Sequence, residues 1–157
     1  MKLKQGDKAP DFRLKNTTGK FRSLKDYKGK ILVLYFYPKD DTPGCTKEAC
    51  SLRDSYMKLK KMGIEVAGVS PDSGESHRKF TEKFSLPFEL FVDSEKAVAK
   101  KYGVWGKKKF MGREYTGVIR TTFIIENGKI RNIIEDVDTG NHAEQILGIL
   151  GYKNNAY

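Results

Sequence analysis

The chain has 157 residues and a mass of 17.9 kDa, with 38% hydrophobic and 32% charged residues. That is enough to bury a core and far from collagen-like, mucin-like or disordered compositions. Thirty lysines and arginines against twenty acids give a net charge of +10. The basic residues are interleaved with acids, and no zinc-finger, RNA-binding or basic-region pattern accompanies the densest runs, Lys58 to Lys61 and Lys107 to Lys109. The charge reads as solvated surface, and no nucleic-acid partner is expected.

Along the chain, Phe12 to Leu14 and Phe21 to Ser23 read as two short strands around the turn cluster Asn16-Thr17-Thr18-Gly19. Lys30 to Tyr37 (KILVLYFY) is β-branched and aromatic without alternation, the pattern of a strand buried on both faces. Its apolar part, Ile31 to Tyr37, is the longest such run, seven residues where a membrane span needs about 20. Met1 to Pro10 carries positive charge with no apolar stretch behind it. Neither a span nor a secretory signal is therefore expected, and the cytoplasm is the expected location.

A loop from Pro38 to Gly44 leads into a helix expected to reach Met62 and stop at Gly63. Ile64 to Ser70 is a second buried strand. Ser73 to Phe84 and Ser94 to Tyr102 are helices flanking a short strand, Phe88 to Val92. Val104 to Gly117 reads as a long loop carrying Trp105 and the lysine run. Thr121 to Glu126 and Lys129 to Glu135 flank Asn127-Gly128, a strong hairpin signal, and Asn141 to Leu150 is a final helix. One domain over residues 1–157 is expected, of the α/β class. The expected architecture is a mixed central sheet with helices on both faces and an N-terminal β-hairpin. A thioredoxin-like arrangement fits this order. A flavodoxin-like sheet would want five parallel strands and no terminal hairpin.

The only cysteines are Cys45 and Cys50, and the only histidines, His77 and His142, are distant in sequence. A structural metal site wants three or four ligands, so none is expected, and both histidines read as surface residues. Thr42-Pro43 has the signature of a helix N-terminus: Thr suits the N-cap and Pro the first helical position. Cys45 then lies in the first turn, where the helix dipole and unpaired N–H groups favour negative charge. A thiol there is expected to titrate below its ordinary value. The stripe Cys45, Ala49, Leu52, Tyr56, Leu59 points Cys45 along the core-facing side. Lowering a thiol from ~8.5 to ~6 raises its thiolate fraction at neutral pH by roughly 30-fold, part of which is lost because nucleophilicity falls with basicity. Ionisation alone makes a reactive cysteine. Fast O–O cleavage needs donors that polarise the bond. The Thr42 hydroxyl can cap the helix or reach the sulfur, and a cation must come from elsewhere in the chain.

The pattern P-x-x-x-T-x-x-C, here Pro38, Thr42 and Cys45, resembles the active-site signature of peroxiredoxins. With Cys50 five residues on, it is similar to the bacterioferritin comigratory protein (peroxiredoxin Q) subfamily. Ala9-Pro10-Asp11-Phe12, Gly103-Val104-Trp105-Gly106 and Arg120 opening RTTFII agree. The resemblance implies a thioredoxin fold and reduction of hydrogen peroxide and organic hydroperoxides. Cys45 matches the peroxidatic nucleophile, which becomes a sulfenic acid. Thr42 and Arg120 match the hydroxyl and guanidinium that contact sulfur and peroxide, and Pro38 matches the shielding proline. Cys50 matches the resolving thiol, whose disulfide a thioredoxin-type partner reduces. No metal, haem or flavin cofactor is implied. A monomer is expected, with a weak dimer as the alternative.

Without the family, geometry alone adds a constraint. Residues five apart on a helix are ~140° around and ~7.5 Å along the axis, beyond what a disulfide tolerates. If Cys45 and Cys50 pair, Gly44 to about Leu52 must unwind in each cycle. Cys50 could instead never react, leaving a one-cysteine peroxidase. Two other readings compete. A thioredoxin-like disulfide oxidoreductase would carry C-x-x-C, which this chain lacks. A polyanion-binding module would show salt-sensitive binding indifferent to the cysteines. Asp40 and its neighbours Lys39 and Asp41 read as exposed loop charges, Glu48 as a dipole-favouring residue without chemistry, and the Lys107 to Lys109 run as dispensable for peroxide consumption.

Overall fold

The computed structural model describes residues 2–151. Seven strands form one mixed sheet in the order β2-β1-β5-β4-β3-β8-β9. These are β1 (Leu14–Lys15), β2 (Phe21–Arg22), β3 (Ile31–Phe36), β4 (Ile64–Ser70), β5 (Glu89–Val92), β8 (Thr121–Glu126) and β9 (Lys129–Ile134). β3, β4 and β5 are parallel, and β8 joins β3 antiparallel, with Tyr35 opposite Thr122. All six residues of β3 are buried, as its unbroken apolar run requires. Their alternation divides the core. Ile31, Val33, Tyr35 and Tyr37 face one layer, and Leu32, Leu34 and Phe36 the other.

The first layer is covered by α1 (Pro43–Asp54), α2 (Tyr56–Lys61), α3 (Gly74–Phe84) and α5 (His142–Ile149). The second is covered by α4 (Ala97–Lys101), the 3₁₀ turn Leu24–Tyr27 and the N-terminal segment through Phe12. The stripe Cys45, Ala49, Leu52, Tyr56, Leu59 is buried throughout, although the expected single helix breaks for one residue at Ser55. The Asn127-Gly128 turn has both residues at positive φ, the type I′ geometry whose twist suits a hairpin.

One expectation is overturned. Val104 to Gly117 is not a loop: β6 (Trp105–Phe110) and β7 (Arg113–Val118) form a separate two-stranded sheet. Phe110 pairs with Arg113, so Met111 and Gly112 make a two-residue turn, at φ of 52° and 79°. Lysine and glycine are poor strand formers, and methionine is an unusual first residue for such a turn, so the sequence carried little sign of the hairpin.

Candidate active site

α1 begins where Thr42-Pro43 placed it. Thr42 has extended N-cap dihedrals and Pro43 opens the helix. The first intrahelical bond runs from the Thr46 amide to the Thr42 carbonyl at 2.8 Å. Cys45 is therefore in the first turn, 1% exposed, and both cysteines are free thiols. The Thr42 hydroxyl neither caps the helix nor contacts the sulfur. It donates to the Lys39 carbonyl at 2.9 Å. Pro38 is half-buried at the start of the same loop, and Cys50 is half-buried on an unbroken helix.

The cation comes from just ahead of the strand next to β3, where Phe36 pairs with Thr121. Arg120, on the link between β7 and β8, donates through Nη2 to Cys45 Sγ at 3.4 Å and through Nη1 to Glu48 Oε1 at 2.7 Å. Cys45 and Glu48 are three residues apart on one helix, hence on one face, and the planar guanidinium bridges the sulfur and the carboxyl group. Burial works against the charge of Arg120, and Cys45 and Glu48 more than offset it, raising its pKa above the ordinary value. Gly44 gives the guanidinium room: a Cβ there would lie 3.1 Å from Nη2.

Glu48 is the residue that sequence reasoning missed. It is fully buried, and burial raises its pKa to about 7 against the opposing pull of Arg120. Its second oxygen, Oε2, has no hydrogen-bond partner among the described residues and lies 3.5 Å from His142 Nε2. A signal existed, since position 48 falls inside the core-facing stripe between Cys45 and Leu52. His142 is likewise buried, not on the surface. Its Nδ1 donates to Gln145 Oε1 at 3.0 Å, and its Nε2 accepts from the Thr122 hydroxyl at 2.8 Å. Burial lowers its pKa to about 4, so the ring is neutral, with its single Nε2 lone pair taken by the Thr122 hydroxyl.

A second buried cluster holds the loop that precedes α1. Asp40, expected in solvent, is 7% exposed, and His77 is fully buried. Asp40 Oδ1 accepts from the Tyr37 hydroxyl at 2.6 Å, and Oδ2 from the Ser76 hydroxyl at 2.7 Å. His77 Nδ1 lies 2.7 Å from Oδ2. His77 Nε2 faces the Phe91 carbonyl at 2.8 Å. A carbonyl only accepts, so Nε2 carries a proton and the Nδ1–Asp40 contact holds another between them. The Asp40 amide donates to Asp72 Oδ2 at 2.8 Å. Asp40, Asp72 and His77 also bring three potential ligand atoms within 4.8 Å of one another, each already engaged in these bonds.

The sequence profile of the AhpC/TSA family matches residues 5–133. The peroxiredoxin Bcp of Bacillus subtilis is 47% identical over 151 residues, covering 96% of each chain. The chain belongs to this family and is a peroxiredoxin. Among solved structures, a mutant of Xylella fastidiosa PrxQ superposes with a TM-score of 0.88 at 31% identity, covering 96% of each chain. A structure of the Xanthomonas campestris bacterioferritin comigratory protein, described by its alkyl peroxide reduction activity, gives 0.82 at 32% identity over 88% of this chain and 89% of that one. The peroxiredoxin thus has the thioredoxin-like α/β fold expected for it and is a thiol-dependent peroxidase. No helix among the described residues is long and apolar enough to cross a membrane.

Proposed function

We propose that Cys45 is the peroxidatic nucleophile of this peroxiredoxin and Arg120 the cation that activates it. The observation that carries this reading is the guanidinium fork, one arm on Cys45 Sγ and the other on buried Glu48. The Cys45 thiolate attacks the terminal oxygen of a hydroperoxide. An S–O bond forms as the O–O bond breaks, and the alkoxide or hydroxide takes a proton and leaves as alcohol or water. The Arg120 donors meet the negative charge that develops on the oxygens. Thr42 turns its hydroxyl from the Lys39 carbonyl toward the bound peroxide, and Pro38 screens the sulfur from bulk water. Hydrogen peroxide and alkyl hydroperoxides are the substrates, the latter in line with the activity named for the Xanthomonas protein.

Cys50 then attacks the Cys45 sulfenic sulfur, releasing water and forming a disulfide. A thioredoxin-type dithiol returns the two electrons by thiol–disulfide exchange. Such a cycle suits the reducing cytoplasm. The chain works as one catalytic domain and as a monomer. Intact-mass analysis after one equivalent of hydrogen peroxide tests the scheme. The wild type loses two hydrogens, Cys50→Ser gains one oxygen, and Cys45→Ser is unchanged. Because Cys50 sits on an intact helix, a one-cysteine cycle with an external resolving thiol is the second reading. A gain of oxygen in the wild type would select it.

A further inference from the structure

Three consecutive lysines in β6 do not share one environment. Strand alternation turns Lys107 and Lys109 outward, both exposed, while Lys108 points inward and is half-buried. Its stem lies beside Gly117, where a Cβ would come within 3.5 Å of Lys108 Cδ, and Gly117 pairs with Gly106, so neither strand blocks it. Its ammonium donates to the Val118 carbonyl at 2.7 Å and lies 5.8 Å from the centroid of its cross-strand neighbour Tyr115. Val118 is two residues before Arg120, about 7 Å along an extended chain. The hairpin therefore ties a second cation to the stretch of chain that carries the guanidinium contacting Cys45.

We propose that Lys108 is a second cation of the peroxidatic site, held by the β6–β7 hairpin to stabilise negative charge on Cys45. Two like charges placed together in a half-buried setting repel unless an anion stands between them or beside both. The Val118 carbonyl supplies a partial charge, and the thiolate supplies the full one. The titration of Lys108 carries the same imprint. Burial and Arg120 lower its pKa, and Cys45 acts in the opposite sense. The other charged or titratable groups facing the sulfur are Arg120, Glu48 on α1 and Tyr35 on β3, with His142 behind Glu48. Lys108 is the one supplied by the hairpin. The inference rests on the assignment of Cys45 above and divides the lysine run, which the sequence read as uniformly dispensable: Lys107 and Lys109 are, and Lys108 is not.

The test follows thiolate absorbance of Cys45 and the rate of hydrogen peroxide consumption against pH, in a Cys50→Ser background that isolates one thiol. Lys108→Met keeps the stem and removes the charge. Its thiolate midpoint rises by roughly 0.5 to 1 pH unit, and its rate below that midpoint falls about three- to tenfold. Lys108→Arg restores both, which a purely structural role of the side chain does not predict. Lys107→Met and Lys109→Met leave both unchanged. Should Lys108→Met disturb folding, Lys108→Gln, which keeps an N–H donor for the Val118 carbonyl, gives the same comparison. A midpoint that stays in place in the neutral variants overturns the role of Lys108 alone. A parent enzyme whose Cys45 titrates as a free thiol and ignores peroxide overturns the Cys45 assignment itself.

Discussion

Glu48 and His142 face each other in the core with opposite titration behaviour, and their pairing predicts an unusual stability profile. Burial raises Glu48 from 4.5 to about 7 and lowers His142 from 6.5 to about 4. Each change is worth about 3 kcal/mol. The signs oppose. Glu48 holds its proton in the folded state, so its contribution is complete below about pH 4.5 and is lost as pH rises to about 7. His142 stays neutral in the folded state while the unfolded chain protonates, so its contribution is complete above about pH 6.5 and is lost as pH falls to about 4. Between these limits the two slopes cancel, and removing one partner exposes the other. Urea denaturation under reducing conditions from pH 4 to 7.5 measures this. The stability of Glu48→Gln relative to wild type should climb by about 3 kcal/mol across the range, and that of His142→Gln should fall by a similar amount. The slopes decide the matter, because any constant cost of substitution drops out. A flat difference for Glu48→Gln would mean that Glu48 is ionised throughout, and the account of its burial would be wrong.

Other consequences are directly measurable. Hydrogen exchange should show protected amides from Gly44 to Leu52 in the reduced enzyme and lose that protection after oxidation by hydrogen peroxide; equal protection in both forms would exclude the pairing of Cys45 with Cys50. Gly44→Ala would push Arg120 Nη2 away from its 3.1 Å approach, so peroxide reduction should slow about tenfold while the midpoint of thermal unfolding holds or rises. An unchanged rate would show that the guanidinium has slack. His77→Gln breaks a fully buried pair with Asp40 and should cost about 3 kcal/mol in urea denaturation. A loss under about 1 kcal/mol would mean that the shared proton contributes little.

The parts of the structure that the sequence disclosed are those governed by local rules. The apolar run of β3, the Thr42-Pro43 start, the stripe from Cys45 to Leu59 and the Asn127-Gly128 turn each follow from neighbours within a few residues. The parts it hid depend on distant partners. Glu48, Asp40, His77 and His142 are polar residues that sequence statistics place in solvent. They are buried because Arg120 reaches Glu48, Ser76 reaches Asp40, Asp40 reaches His77 and Thr122 reaches His142 from other elements. The β6–β7 hairpin failed for a related reason: its lysines and glycines oppose the strand state locally, and cross-strand pairing overrides them. Arg120 could be placed near Cys45 only by resemblance, since 75 residues separate them.

The fastening of Asp40 to α3 and to the β4–α3 loop bears on how quickly the enzyme is ready again. Starting a helix is the slow, unfavourable part of its formation, because several dihedral angles must be set before the first bond is gained. On the proposed cycle, with Asp40 moored four residues before Gly44 and Pro43 stiff beside it, a chain that comes undone to join its sulfurs keeps its point of departure. Rewinding after reduction then resembles closing a zip whose slider was never removed, and the reactive sulfur returns to the guanidinium without a search.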